Sequence, residues 1–198
     1  MSNLEIGVIG ASWGGLAALS KLFSGLPGDF NIPLLVVQHR SRHGDNLLGT
    51  LLQDVTKLRV VDVEDKEPLQ AGCVYIAPAN YHLLVEDGHL SLTTDPLVRF
   101  SRPSIDVTFA SAADAYRSAA LGVVLTGAND DGSQGLRRIV DVGGKAIVQD
   151  PSTAESKTMP SAAMKAVPEA EVIPLSGISA RLVELASHKV QHPQKRAG

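Results

Sequence analysis

Ser12 stands in the stretch Gly10-Ala11-Ser12-Trp13-Gly14-Gly15, directly after the apolar run Leu4–Ile9. A Gly-x-Ser-x-Gly pattern between a strand and a helix is that of a nucleophile elbow, where small flanking residues allow a sharp turn that lifts the hydroxyl clear. A serine hydroxyl is a weak nucleophile at neutral pH and needs an adjacent base. His39 follows a second apolar run, Ile32–Val37, and Asp130 and Asp131 follow a third, Leu121–Leu125. Imidazole suits the role of base, and a carboxylate fixes its tautomer and stabilises the imidazolium. Each residue also has a plainer reading. Ser12 can cap the next helix or donate to a phosphate at its N-terminus. His39 can be an ordinary loop hydrogen-bonder, and Asp130-Asp131-Gly132 can be turn chemistry. Neither GxGxxG nor GxxxxGK[ST] is present, which counts against the phosphate cradle.

These residues can meet only if their strands share an edge. Leu4–Ile9, Ile32–Val37, Leu121–Leu125 and Lys145–Gln149 are strand-length apolar runs, and helix-spaced apolar positions follow each of the first three. This alternation predicts an α/β fold: a doubly wound, mostly parallel central sheet flanked by helices, a Rossmann-like sandwich. In such sheets sites form beyond the carboxyl ends of the strands, where Ser12, His39 and Asp130-Asp131 stand. The middle of the chain differs. His82–Val85 and Leu90–Leu92 flank Asp87-Gly88, a type I′ hairpin signal, and predict a short antiparallel hairpin at one edge of the sheet. Ser104 is expected to cap a helix that buries Ile105, Phe109, Ala112 and Tyr116.

The bulk properties narrow the class. One domain is expected for 198 residues, of which 44% are hydrophobic. Eighteen Lys and Arg against 21 Asp and Glu leave a net charge of −3, so nucleic-acid binding has little electrostatic support and is not expected. The lone Cys73 excludes an intrachain disulfide and a cysteine-rich zinc site, and reads as a buried apolar residue. No signal peptide or apolar span is visible, so a cytoplasmic protein without membrane insertion is expected.

The chain resembles the catalytic domain of the CheB-type chemotaxis protein-glutamate methylesterases. The resemblance is carried by IGASWGG, VVQHR, GCVYIAPANYHLLVEDG, SRPSIDVTFASAA, VVLTGANDDGSQGL and GGKAIVQDPSTAESKTMPSAA, in order across nearly the whole length. It implies a serine hydrolase that demethylates γ-glutamyl methyl esters on chemoreceptor cytoplasmic helices, in some members with glutamine deamidation, and without metal or organic cofactor. By position it implies Ser12 as nucleophile, His39 as base and Asp131 as orienting acid, since the family's acid directly precedes the glycine that here is Gly132. Backbone N–H groups of Trp13 and Ala128 are the expected oxyanion donors. The catalytic domain is expected over residues 1–190, followed by a disordered tail at 191–198. No N-terminal receiver domain is expected on this chain, so a separate receiver or regulator is an expected partner.

Two departures bear on substrate. Trp13 stands where the family carries a small or hydroxylated residue, and Thr126-Gly127-Ala128-Asn129 replaces its Thr-Gly-Met-Gly turn. Asp150–Thr158 and Arg40–Gly44, with Arg40, Arg42, Arg99 and Arg102, are candidate receptor contacts. His82 and Asp150 are reserve catalytic candidates, His82 reading as structural. Two rival functions stay open: a silent binding protein in which Trp13 plugs the site, and an esterase for another acyl substrate.

Overall fold

The computed structural model describes residues 4–40 and 47–187. Seven strands form the main sheet: β1 (Ile6–Ala11), β2 (Leu34–Gln38), β3 (Arg59–Asp62), β5 (Cys73–Ile76), β8 (Ala120–Val124), β9 (Lys145–Gln149) and β10 (Glu171–Ile173). Their order is β10-β9-β8-β1-β2-β5-β3, and every neighbouring pair is parallel. The chain runs outward from β1 through β2 to one edge, then returns to β8 on the other side of β1. That reversal brings the carboxyl ends of β2, β1 and β8 side by side, where a doubly wound sheet opens a crevice.

Central strands buried on both faces read as continuous apolar runs, and the period of two divides their side chains. Leu34 and Val36 of β2 join Ile9, Leu121 and Val123 against α1 (Gly15–Ser24), α2 (Leu48–Gln53) and α6 (Leu175–Ser187). Leu35 and Val37 join Val8 and Val124 against α3 (Ile105–Tyr116), α4 (Ser133–Asp141) and α5 (Thr158–Ala166). Leu19, Leu22 and Phe23 of α1 recur at helical spacing and are fully buried. Each such side chain contributes about 1.5–3 kcal/mol of burial free energy, which presses the helices onto the sheet and the strand ends into line.

The middle of the chain departs from the expected arrangement. The hairpin β6 (His82–Glu86) and β7 (His89–Thr93) forms, but it pairs with β4 (Glu67–Pro68) in a separate three-stranded sheet. α3 holds that sheet: Thr108 Oγ1 donates to the Leu83 carbonyl at 2.8 Å, and Ser111 Oγ accepts from the Val85 N–H at 3.0 Å. These bonds satisfy β6 without the edge of the main sheet. In the Asp87-Gly88 turn only Gly88 has a positive φ, 77°, so the turn is not type I′. α5 begins at Thr158, two residues before Pro160, which sits in its first turn. The tail at 191–198 and the segment 41–44, with Arg42, lie outside the described residues.

Candidate active site

Ser12 follows β1 in a turn clamped from three sides. Its N–H donates to the Thr126 carbonyl at 2.9 Å, and its carbonyl accepts from the Gly15 N–H at 2.8 Å and from Gln38 Nε2 at 2.8 Å. Gly14 carries φ 77°, and a Cβ there would lie 2.7 Å from Cβ of Glu155. A Cβ on Gly15 would overlap the Gln38 carboxamide. The positive φ reserves the first place for glycine, and the second admits a side chain only if Gln38 moves. Gly14 is itself the residue at the N-cap of α1, and no side chain caps that helix. Ser12 is therefore not its cap, and the hydroxyl is free to face elsewhere.

It faces His39. His39 follows β2, and its backbone N–H donates to the Ala11 carbonyl at 3.1 Å, which ties the end of β2 to the end of β1. Nδ1 of His39 lies 3.3 Å from Ser12 Oγ, and Nε2 lies 2.8 Å from Asp131 Oδ2. A carboxylate accepts only, so Nε2 carries the hydrogen of the neutral ring and Nδ1 presents its lone pair to Ser12. Asn129 Nδ2 lies 3.4 Å from the same Nδ1.

Asp131 is fully buried in the loop between β8 and α4. Oδ2 accepts from His39 Nε2 and from the Ile105 N–H at 2.7 Å, and Oδ1 accepts from Ser104 Oγ at 2.9 Å and the Asp106 N–H at 3.0 Å. Two of these donors are the first amides of α3, so the acid sits at the positive end of that helix. Burial pushes the Asp131 carboxyl up, but hydrogen bonds from His39, Asp106 and Ile105 outweigh it and hold the group below its usual range. Asp106 returns the favour by accepting the Gly135 N–H at 2.7 Å in the first turn of α4. Each acid thus caps the other's helix. Burial first, with Asp131 close by, leaves the Asp106 carboxyl raised.

The neighbouring Asp130 points away and is paired with Arg99, which also reaches Asp106 at 3.4 Å. His82 is buried and committed: its Nδ1 accepts the Ser104 N–H at 3.2 Å and Nε2 donates to the Pro96 carbonyl at 3.0 Å. Asp150 accepts the Ser152 N–H at 2.8 Å in its own turn. Neither reserve candidate is bonded to Ser12 or His39. Ser104 occupies the N-cap position of α3, but its hydroxyl serves Asp131 and not the helix, contrary to the expected cap.

A hollow of about 530 Å³ opens beside Ser12, lined among others by Trp13, Leu16, Gln38, His39, Ala128 and Glu155. Among the described residues, the N–H groups of Trp13 and Ala128 have no backbone acceptor. Thr126 Oγ1 donates to the Trp13 carbonyl at 2.9 Å, which sets the orientation of the adjoining peptide. Trp13 is 66% exposed and Ser12 remains partly exposed beside it, so the indole stands at the rim of the hollow and does not fill it. Among the described residues no cluster of three His, Cys, Asp or Glu has a metal-holding arrangement, and no helix is long and apolar enough to cross a membrane.

The sequence profile of the CheB methylesterase family matches residues 7–182. The chain belongs to that family. A putative protein-glutamate methylesterase/protein-glutamine glutaminase of Leptospira interrogans (serovar copenhageni) is 41% identical over 190 residues, covering 96% of this chain and 98% of that one. The protein-glutamate methylesterase/protein-glutamine glutaminase of Maricaulis maris is 36% identical over 186 residues, which is 92% of this chain but 46% of the relative. The crystal structure of the Thermotoga maritima CheB methylesterase catalytic domain superposes with a TM-score of 0.87 at 33% identity, covering 93% of this chain and all of that one. The fold is that of a CheB methylesterase catalytic domain. Gln38, Ser104, Asp106 and Asn129 were not singled out from the sequence as site residues. Gln38 had a signal in its place at the end of a strand, one residue before His39. The other three act through contacts across 25 residues or more, for which short-range spacing holds no sign.

Proposed function

We propose that this protein is a serine hydrolase that removes the methyl group from γ-glutamyl methyl esters on the cytoplasmic helices of methyl-accepting chemoreceptors. The observation that carries the reading is the chain Ser12 Oγ, His39, Asp131, with contacts of 3.3 and 2.8 Å, in a family of methylesterases. His39 Nδ1 takes the Ser12 proton as Oγ attacks the ester carbonyl, and the Trp13 and Ala128 N–H groups receive the oxyanion. When the tetrahedral adduct collapses, the carbon–methoxy bond breaks and His39 returns the proton to the departing oxygen as methanol. Water then attacks the Ser12 acyl group, giving its proton to His39, and the glutamate carboxylate leaves with Ser12 restored. Asp131 holds the ring tautomer and stabilises the imidazolium in both halves.

A glutamine side chain offers the same acyl carbon with ammonia as leaving group, so deamidation by the same residues is part of the proposal. The setting is the cytoplasm, with control by a separate receiver or regulator. The test is methanol release from a methylated chemoreceptor cytoplasmic fragment. Ser12→Ala should lower turnover by about 10⁴- to 10⁶-fold, in line with other triad knockouts. Release that persists in Ser12→Ala would overturn the assignment. No release by the folded native protein would favour a different ester.

A further inference from the structure

Aromatic residues are scarce in this chain, one Trp, four Phe and three Tyr among 198 residues. Phe23, Phe30 and Phe109 are buried in the core, whereas Trp13 is 66% and Phe100 96% exposed. Trp13 and Phe100 each share a hollow with His39. The imidazole lines the hollow it shares with Ser12, Trp13 and Leu16, and also a second hollow of about 220 Å³ shared with Arg40, Leu97, Phe100 and Arg102.

Phe100 is held outward against the preference of its backbone. Val98 and Ser101 pair across a two-residue turn, Arg99-Phe100, in which φ is 48° and 62°. Two positive values are the signature of a type I′ turn, which favours Asn-Gly and disfavours bulky residues. The hairpin at Asp87-Gly88 spends a glycine on its one positive φ, and this turn spends none. Arg99 anchors it through ion pairs to Asp130, the neighbour of Asp131, and to Asp106, whose N–H donates to Asp131 at the start of α3. Strain retained by such anchoring is a mark of function.

We infer that Trp13 and Phe100 are two aromatic anchors, one at the Ser12 hollow and one at the adjoining hollow across His39, that grip the glutamate-bearing segment of the protein substrate. The inference rests on the esterase reading above. His39 is a wall of both hollows, so a segment that seats a carbonyl at Ser12 and continues past His39 meets both rings. Its chemistry follows from the lining. Apolar side chains cover Trp13 with Leu16 and Phe100 with Leu97. Carboxylates meet the second hollow through its positive charge: it is lined by Arg40 and Arg102, whose guanidinium groups also donate to the Ala77 carbonyl and to Thr94, Asp95 and Asn80. Aromatic and arginine side chains of this kind dominate binding in protein interfaces.

The experiment measures the Kd of a methylated chemoreceptor cytoplasmic fragment for the Ser12→Ala protein, which binds without turnover. The same Kd is then measured after adding Phe100→Gly or Trp13→Ala. Each addition is expected to weaken binding at least tenfold. Phe100→Gly relieves a left-handed φ, so its Tm should stay level or rise, which a structural role for the ring would not allow. Less than a tenfold change in both variants, with Tm preserved, overturns the anchors. Methanol release by the native protein reports separately on the esterase. Release without aromatic-dependent binding removes the anchors alone, aromatic-dependent binding without release removes the esterase reading alone, and absence of both removes both.

Discussion

Replacing Asp131 by Asn separates the charge of the acid from its shape. In the native site Oδ2 accepts from two donors, His39 Nε2–H and the Ile105 N–H, and Oδ1 accepts from Ser104 Oγ and the Asp106 N–H. An amide NH₂ in the Oδ2 position would face the Ile105 N–H and force His39 to move its hydrogen to Nδ1, the nitrogen that has to receive the Ser12 proton. In the Oδ1 position it meets Ser104, whose hydroxyl can rotate to accept, and orphans only the Asp106 N–H. The second orientation wins, and the tautomer survives. Stability then falls by about 1–3 kcal/mol for the orphaned amide. Catalysis loses the charge opposite the imidazolium: at 2.8 Å and an effective dielectric of ~20, that attraction has a ceiling of about 6 kcal/mol. The expected result is a kcat lower by about 10³- to 10⁴-fold, read as methanol release in urea-stable, folded protein. Asp130→Asn, which breaks only a half-exposed pair with Arg99, should cost less than tenfold. Retention of more than a tenth of kcat in Asp131→Asn, or equal losses at both positions, would refute this account of the acid.

Two further outcomes follow from the same geometry. The folded-state pKa of Asp131 is depressed, so its contribution to stability is present above the unfolded carboxylate pKa of about 4 and is lost as pH falls through the lower folded value. Asp106 is shifted the opposite way, so the Asp131 part should be read as native minus Asp131→Asn in Tm between pH 6 and 3, and a difference that does not shrink toward pH 3 would contradict it. Gly15→Ala should drive the Gln38 carboxamide off the Ser12 carbonyl, lowering stability by about 1–3 kcal/mol and kcat at least tenfold. Unchanged methanol release and chemical denaturation in that variant would show that the Gln38 clamp does not position the nucleophile.

Much of the site was legible in the chain. Apolar runs that end in Gly10-Ala11-Ser12, Gln38-His39 and the loop to Asp131 state that three polar groups leave three buried strands, and parallel strands send their carboxyl ends to one edge. The residues around them were not. The Ser104 hydroxyl looked like a helix cap because it occupies a cap position, yet it reaches Asp131 across 27 residues. The hairpin forms where Asp87-Gly88 placed it, though its turn is not the type I′ expected, and its place at the main-sheet edge was not met, since Thr108 and Ser111 of a distant helix satisfy its free edge.

The sequence by itself determined which elements form and which chemistry stands at their ends, because periodicity, turn residues and side-chain type are local properties. Only the tertiary structure decided that β8 returns beside β1 and that Nδ1 is the nitrogen facing Ser12, and it brings Asp131, the acid the family resemblance implied, to His39 across 92 residues. Those choices follow from strand order and from α3 and α4 capping one another, and both are settled by packing between parts of the chain that no short-range pattern connects.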